Sequence, residues 1–153
     1  MEWMTLASTI VGGGIATVSA GFHERRRWTR DRSDQRTEIR RVLYGSYLSS
    51  LSQARLACSV LARDPDASPD ERRKTAWDAF EPCLSLRYQI AISAPTPVVT
   101  PAEDAFRRLR DLRDAITDGL LVSSTAYASH RTSYDTALLA LRGAMRDDLG
   151  AET

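Results

Sequence analysis

Lysine, histidine and cysteine are scarce in this chain of 153 residues. Lys74 is the only lysine among 21 basic residues, and the only histidines are His23 and His130. The two cysteines, Cys58 and Cys83, are 25 positions apart. Two thiols do not make a disulfide framework, and their spacing is too wide for a closely spaced metal site, which fits a reducing compartment. We expect both cysteines to be small, buried, apolar side chains.

The chain also lacks the motifs of common catalytic centres. Serine, histidine and aspartate are all present, but no G-x-S-x-G nucleophile elbow occurs. Asp147 and Asp148 are adjacent, so on a helix they point in different directions and cannot converge as a catalytic pair. We expect both to face solvent. The sequence predicts no catalytic residue, no cofactor and no metal, and therefore a non-enzymatic protein.

Charge is absent from 20 consecutive residues, Trp3 to Phe22. A helix of this length is about 30 Å long, which matches the hydrocarbon core of a bilayer. Glycine, serine and threonine dilute its apolar residues, so its hydrophobicity is weak for a membrane span. We interpret residues 1–23 as a transmembrane anchor.

Three other interpretations of this segment compete with a span. A secretory signal is disfavoured because the start, MEWM, has no basic residue and because arginines follow the possible cleavage site VSA. A phosphate-binding loop is disfavoured because GGGIAT has no lysine and no room for a preceding strand. The third alternative is a helix or short strand of a soluble domain, buried in a core or a dimer seam, and it stays open.

Small residues recur every four positions within the uncharged segment. This spacing places them on one helix face and allows two helix backbones to approach closely. We therefore predict self-association into a homo-oligomer. The predicted association face consists of Gly12, Gly13, Ala16, Thr17, Ala20 and Gly21.

Arginine is concentrated directly after the uncharged segment. Residues 23–41 contain eight arginines and four carboxylates, whereas the net charge of the whole chain is only +1. The positive-inside rule then predicts a single-pass protein of the inner membrane, with its N-terminus outside and the rest in the cytoplasm. We expect the arginines of the juxtamembrane segment, residues 24–38, to contact anionic lipid head groups. The predicted contacts are Arg25, Arg26, Arg27, Arg30 and Arg32.

Nucleic acid is disfavoured as a partner of this arginine-rich segment. Four acidic residues are interleaved with the arginines, which weakens attraction to phosphates. Trp28 is the only aromatic residue there that could stack on a base.

Helical periodicity dominates the chain after the arginine-rich segment. Apolar residues three or four apart predict helices over about 33–63 and 101–122, a second helix that begins after Ser68, and a fourth that ends before Gly150. Ser68 with Glu71, and Thr100 with Glu103, have the spacing of capping boxes, each with proline at the first helical position. Residues 93–101, SAPTPVVTP, are predicted to form a rigid linker.

The sequence of the second helix fits two secondary structures in its C-terminal part. Its predicted inward face contains Trp77, Phe80, Leu84, Tyr88 and Ala91. A proline at position 82 should kink it, and the alternation over residues 84–92 also suits a strand. We favour a helix, because a lone strand has no partner with which to form a sheet.

The third helix has a charged outer face. We place Arg113 on that face or, as an alternative to Leu112, on the inward face. On the outer face we expect the i,i+4 pairs Arg107–Asp111 and Arg110–Asp114.

Several segments together resemble a group of small actinobacterial proteins. The resemblance rests on Trp3–Phe22, Trp77, Pro97–Leu112 (PVVTPAEDAFRRLRDL) and Tyr134–Gly150. Such proteins have one N-terminal membrane span and a helical cytoplasmic domain. The resemblance implies this architecture and supplies no catalytic residues.

The predicted fold is therefore all-α. A single transmembrane helix is followed by a long helix and an antiparallel bundle of about four helices, with the bundle at residues 39–150 and a tail at 151–153. The leading hypothesis is a membrane-tethered interaction module that self-associates and recruits a cytoplasmic protein. One alternative is a membrane-active effector, such as a phage-defence protein, whose glycine-rich helices form a leak. The other is the soluble bundle described above.

Overall fold

Four helices form the part of the chain that the structure, a computed structural model, describes, which is residues 34–150. Helix α1 comprises residues 34–61, α2 is Pro69–Ser93, α3 is Thr96–Thr117 and α4 is Thr125–Asp148. No strand occurs between residues 34 and 150. The predictions of an all-α fold and of a helical bundle are confirmed for this part.

The chain divides into two units, Met1–Ile39 and Arg40–Thr153. Of the first unit only residues 34–39 are described, and they are helical. The predicted span, its association face and the arginines expected at lipid head groups all lie outside the described residues. Among the helices of residues 34–150, none combines the length and the apolarity that crossing a bilayer requires.

Contacts between side chains establish that α1 and α4 are antiparallel. Near the start of α1, the hydroxyl of Tyr44 donates a hydrogen bond to Oδ2 of Asp148, the last residue of α4, at 2.6 Å. Further along α1, Arg55 Nε lies 3.8 Å from Oδ1 of Asp135, near the middle of α4. Positions therefore rise along α1 as they fall along α4, which is the relation of first and last helices in an up-down-up-down bundle.

The two longer loops meet at the other end of the bundle. The backbone N–H of Val122, between α3 and α4, donates to the carbonyl of Ala62, after α1, at 2.9 Å. The short turn between α2 and α3 consists of Ala94 and Pro95. Short connections of this kind join antiparallel neighbours.

All four helices contribute to one core. Apolar residues recur at helical spacing on the inner face of each helix, so their side chains meet in the middle of the bundle. The largest fully buried side chains are Tyr47, Leu51, Cys58, Phe80, Cys83, Ile90, Val98, Leu109, Leu112, Ile116, Tyr134 and Leu141. Both cysteines are free and buried, as predicted. Burial raises the pKa of Cys58 to about 12 and also raises the pKa of Cys83, so neither thiol is poised as a nucleophile.

Three helix ends follow local rules. Ser68 caps α2, and its hydroxyl accepts a hydrogen bond from the N–H of Glu71 at 3.2 Å, as predicted. Gly150 follows the C-cap of α4 with φ of 65°, also as predicted. Helix α3 ends at Thr117 rather than near 122, because Gly119 adopts φ of 100° and terminates it. The N–H of Leu120 then bonds to the Ala115 carbonyl at 3.0 Å, which completes a Schellman motif.

Helix α2 continues through Pro82 to Ser93, so residues 84–92 are helical and the strand alternative is excluded. The helix tolerates the proline because core packing on both sides of it, by Phe80 and Cys83, holds the segment in place.

The predicted linker at residues 93–101 is wrong except at residues 94 and 95, since Ser93 ends α2. Helix α3 begins at Thr96, with Pro95 as the N-cap residue and no side-chain cap. Pro97 sits within the first turn, where a backbone N–H is not needed, and Pro101 lies inside the helix. Burial of Val98 in the core favours the early start, since this side chain would be exposed in an extended linker. Glu103 is therefore not the end of a capping box.

Arg72 joins α2 to the loop that precedes it. Its buried guanidinium donates three hydrogen bonds to backbone carbonyls, from Nε to Ala67 at 3.1 Å, from Nη1 to Leu61 at 3.2 Å and from Nη2 to Asp64. Leu61 is the last residue of α1, and the carbonyls of Asp64 and Ala67 lie beyond it, where no helix hydrogen bond satisfies them. One side chain of α2 thus holds a loop whose residues 63–66 are exposed.

Two buried tyrosines provide a matched test of hydrogen bonding in the core. The hydroxyl of Tyr47 donates to the carbonyl of Ala102 at 3.1 Å, whereas the Tyr134 hydroxyl has no partner among the described residues. Burial raises the pKa of both phenols, so both are neutral. We expect Tyr47→Phe to lower the free energy of unfolding by about 1 kcal/mol and Tyr134→Phe to leave it unchanged or raise it. Urea titrations of the two variants test this, and equal losses would contradict it.

Candidate protein-interaction site

Aromatic rings and arginine side chains alternate along one side of α2 and α3. They form a continuous series in which each member contacts the next, and we call it the arginine–aromatic ladder. In order, the ladder consists of Trp77, Arg113, Phe80, Phe106, Arg87 and Tyr88.

Arg113 forms the first half of the ladder. Its guanidinium carbon lies 4.6 Å from the ring centroid of Trp77 and 4.6 Å from that of Phe80, a cation–π geometry on both sides. Nη2 and Nε also donate to Oδ1 of Asp114 at 2.7 and 2.9 Å. Arg113 is buried, as Leu112 is, so the inward alternative for Arg113 is confirmed and its placement on the outer face is wrong. The reason is that two rings and a carboxylate together satisfy its charge out of water.

Arg87 forms the second half of the ladder. Its guanidinium carbon lies 4.8 Å from the Phe106 centroid and 5.8 Å from that of Tyr88. Its Nε and Nη2 hold the carboxylate of Glu103, with a shortest N–O distance of 2.7 Å. Hydrogen bonding to Glu103 raises the pKa of Arg87 above its ordinary value. This bidentate pair fixes the orientation of the guanidinium over the rings.

Two phenylalanines join the halves. The Phe80 and Phe106 centroids are 6.1 Å apart, and the rings meet edge to face at 68°. Both rings are buried, so the middle of the ladder belongs to the core while its ends reach the surface.

The ends of the ladder lie on an exposed apolar strip of α2. Trp77 is 51% exposed, Tyr88 is 62% exposed and Ile92 is 85% exposed, with Leu84 half-buried between them. We call these four residues the α2 strip. Spacings of seven, four and four residues place them along one side of the helix over about 22 Å. Their predicted inward orientation is wrong for Trp77 and Tyr88.

The error in α2 has a physical cause. Apolar residues occupy two adjacent faces of this helix, so periodicity alone does not identify the face that turns inward. The buried face contains Phe80, as predicted, together with Ala76, Cys83 and Ile90, whereas Ala91, also predicted to face inward, is exposed.

The α2 strip has the properties of a protein contact surface. Tryptophan, tyrosine and arginine dominate the binding energy of protein interfaces. The arginines stack on Trp77 and Tyr88 in the free protein, so both rings are already held in place. A partner that binds to restrained rings loses less conformational entropy than one that must order them.

Of the two adjacent acids at the end of α4, Asp147 and Asp148, only one faces solvent as predicted. The carboxylate of Asp148 is largely buried and accepts from Tyr44, while Arg40 Nε lies 3.3 Å from its Oδ2, so the expected solvent exposure holds only for Asp147. Contact with α1 explains the difference. Hydrogen bonding and burial raise the pKa of the Tyr44 phenol, with burial the larger cause.

The ion pairs observed on α3 differ from the predicted pairs Arg107–Asp111 and Arg110–Asp114. Arg107 and Arg108 both contact Asp104, and Arg110 lies 3.6 Å from Asp111. Asp114 is engaged by Arg113, and i,i+3 contacts compete well with i,i+4 contacts on an exposed helix face.

No group of three or more metal-ligating side chains comes together within residues 34–150. His130 is half-buried on α4, and His23 lies outside the described residues.

Sequence reasoning missed the ladder because its contacts cross between helices. A usable signal existed in the spacing of the arginines. Arg87 follows Phe80 by seven residues on α2, and Arg113 follows Phe106 by seven residues on α3. In an antiparallel pair of helices, such spacing brings the arginine of each helix to the phenylalanine of the other.

Comparison with known proteins identifies no relative. No family model matches the chain, no curated protein matches it, and no solved structure matches it at a significant level.

Proposed function

We propose that this protein is a membrane-tethered, non-enzymatic interaction module that recruits a cytoplasmic protein partner through the α2 strip. The observation that supports it most directly is the exposure of Trp77 and Tyr88 at the two ends of a buried arginine–aromatic ladder. Large apolar side chains on the surface of a bundle are typical of a binding surface when they are contiguous.

The partner proposed for this surface is an amphipathic helix. An apolar strip about 22 Å long on one helix suits a second helix laid along it, with apolar anchors three or four residues apart. Lys74 and Glu81 flank Trp77 on the same side of α2, and both side chains are exposed. They present charges of both signs at the rim, where charge selects the partner and its orientation.

The tether is the second part of the proposal. The uncharged segment of residues 3–22 and the arginines that follow it support an inner-membrane anchor with the bundle in the cytoplasm, and its small-residue face supports self-association. Fractionation of bacteria that express a C-terminally tagged chain tests this. We expect the tag in the membrane pellet and protected from protease added to spheroplasts. A tag in the soluble fraction would overturn the tether and leave the docking surface untouched.

Site-specific photocrosslinking in intact cells tests the docking surface. A photoreactive phenylalanine analogue replaces Trp77, Tyr88 or, as a control, Leu139, an apolar residue of α4 that is 72% exposed and thus more accessible than either. We expect one adduct of the same mass from positions 77 and 88 and none from position 139. Trp77→Ala should remove the adduct at position 88, because a hot-spot truncation weakens binding by about 30-fold or more. Adducts that are equal at all three positions, or absent from all three, would contradict the proposal.

A further inference from the structure

A second surface, formed by residues other than those of the α2 strip, lies between α3 and α4. It is an open groove of about 780 Å³ beside the first turns of α3 and the last turns of α4. We call it the α3–α4 groove. Its α3 wall consists of Pro95, Pro97 and Pro101, its α4 wall consists of Ala140, Gly143 and Ala144, and Asp147 and Asp148 lie at its end.

The polar groups of the α3–α4 groove are all hydrogen-bond acceptors. None of its side chains carries an N–H or O–H donor when the two carboxyls are ionised. Its prolines have no backbone N–H, and the residues on the α4 wall have theirs inside a helix. Because Pro101 lies within α3, the carbonyl of Pro97 also lacks its usual donor four residues on. A ligand with donors and no acceptors complements such a surface.

The charge of the groove favours a cation. Asp147 is exposed, and among the described residues no cationic side chain pairs with it. Asp148 is already engaged by Tyr44 and Arg40. One free carboxylate therefore stands at the end of an apolar trough.

The walls of the groove are small and flat. A Cβ built on Gly143 meets nothing within 4 Å, so open space lies over this part of α4. Proline rings on the opposite wall offer apolar surface without hydrogen-bond donors. Arginine and lysine side chains fit this combination, because their methylene stems prefer apolar surface while their charged ends seek an acceptor.

We propose that the α3–α4 groove binds a basic peptide segment of a partner protein. The stem of an arginine or lysine lies against the proline wall, and its charged end pairs with the Asp147 carboxylate. This inference does not depend on the α2 strip, and it adds a second ligand class to the molecule.

Fluorescence anisotropy of the full-length protein in detergent micelles tests the proposal. The probe is a labelled nine-residue peptide of three Leu-Ala-Arg repeats, and the comparison probe has glutamate in place of each arginine. We expect the arginine probe to bind more tightly than the glutamate probe by at least tenfold. Asp147→Asn should weaken binding of the arginine probe by about tenfold at low salt, an effect that shrinks as salt screens the charge.

A variant that fills the groove should weaken binding more than Asp147→Asn does. Gly143→Leu should abolish binding, because its side chain occupies the space over α4. Gly45→Leu is the matched control, since a Cβ at Gly45 also meets nothing within 4 Å and the residue lies on α1. If Gly143→Leu does not fold by circular dichroism, Ala140→Leu fills the same wall from an exposed position.

Two results would overturn the proposal. One is equal affinity for the arginine and glutamate probes, or no binding of either. The other is unchanged affinity in a folded groove-filling variant. Trp77→Ala should bind the arginine probe normally, which separates this inference from the function proposed for the α2 strip.

Discussion

Replacing Arg72 with alanine is expected to lower the free energy of unfolding by about 3 kcal/mol or more. The guanidinium of Arg72 bonds the carbonyls of Leu61, Asp64 and Ala67, and its removal breaks all three hydrogen bonds. The Leu61 carbonyl keeps a bond from the N–H of Asp64 at 3.2 Å, so the carbonyls of Asp64 and Ala67 are the ones that lose their donor. Each hydrogen bond from a charged donor contributes about 1.5 kcal/mol or more. Lysine should not restore the loss, because its single ammonium group cannot reproduce a planar fork of donors.

Urea unfolding followed by far-ultraviolet circular dichroism measures this effect. Arg73→Ala is the control, because Arg73 is the next residue, is exposed, and contacts the still more exposed Asp70 at 3.4 Å. We expect this control to change the free energy of unfolding by less than about 0.5 kcal/mol. Similar midpoints for the two variants would mean that water satisfies the three carbonyls as well as Arg72 does.

Truncating Phe80 to alanine is expected to have a still larger effect, a loss of about 4 kcal/mol. Phe80 is fully buried, meets Phe106 edge to face and lies under the guanidinium of Arg113. The truncation leaves a cavity in the core and also removes one of the two rings that stabilise a buried charge. The second loss distinguishes this site from an ordinary core phenylalanine.

Comparison of three variants separates the two contributions. Phe80→Leu keeps most of the volume and loses the ring, so it should fall between the wild type and Phe80→Ala. Arg113→Met keeps the volume of the stem and removes the charge. In the Phe80→Leu background, Arg113→Met should lower the free energy of unfolding by less than in the wild type, because the ring that stabilises the charge is already gone. Strict additivity of Phe80→Leu and Arg113→Met would contradict a stacked arrangement.

Periodicity predicted the helices well where one face alone is apolar. Apolar spacing in α4 predicts an inward face of six residues, of which Leu149 is half-buried and the other five are buried. The five are Tyr127, Tyr134, Leu138, Leu141 and Met145. Local rules also placed the start of α2 at Ser68 and the glycine after α4, because capping depends on residues within one turn.

Predictions failed where contacts between helices decide the outcome. The prolines of residues 95–101 suggested a linker, yet burial of Val98 extends α3 back to Thr96. Arginine is usually a surface residue, but Arg113 is buried because Trp77 and Phe80 of another helix enclose it. Likewise Asp148 leaves solvent only because Tyr44 reaches it from α1. No spacing within a single helix carries this information.

The bundle has two ends, each marked by a contact between segments. At one end Asp148 contacts Tyr44 and Arg40, and at the other the N–H of Val122 bonds to the carbonyl of Ala62. Residue 40, the turn at Pro95 and the end of α4 all belong to the first end, and a helix of 24 residues separates the two ends by about 36 Å. The 119–124 loop and Gly150, which follows α4, therefore lie about a full helix length apart. Energy transfer between fluorophores at these two places measures that separation directly.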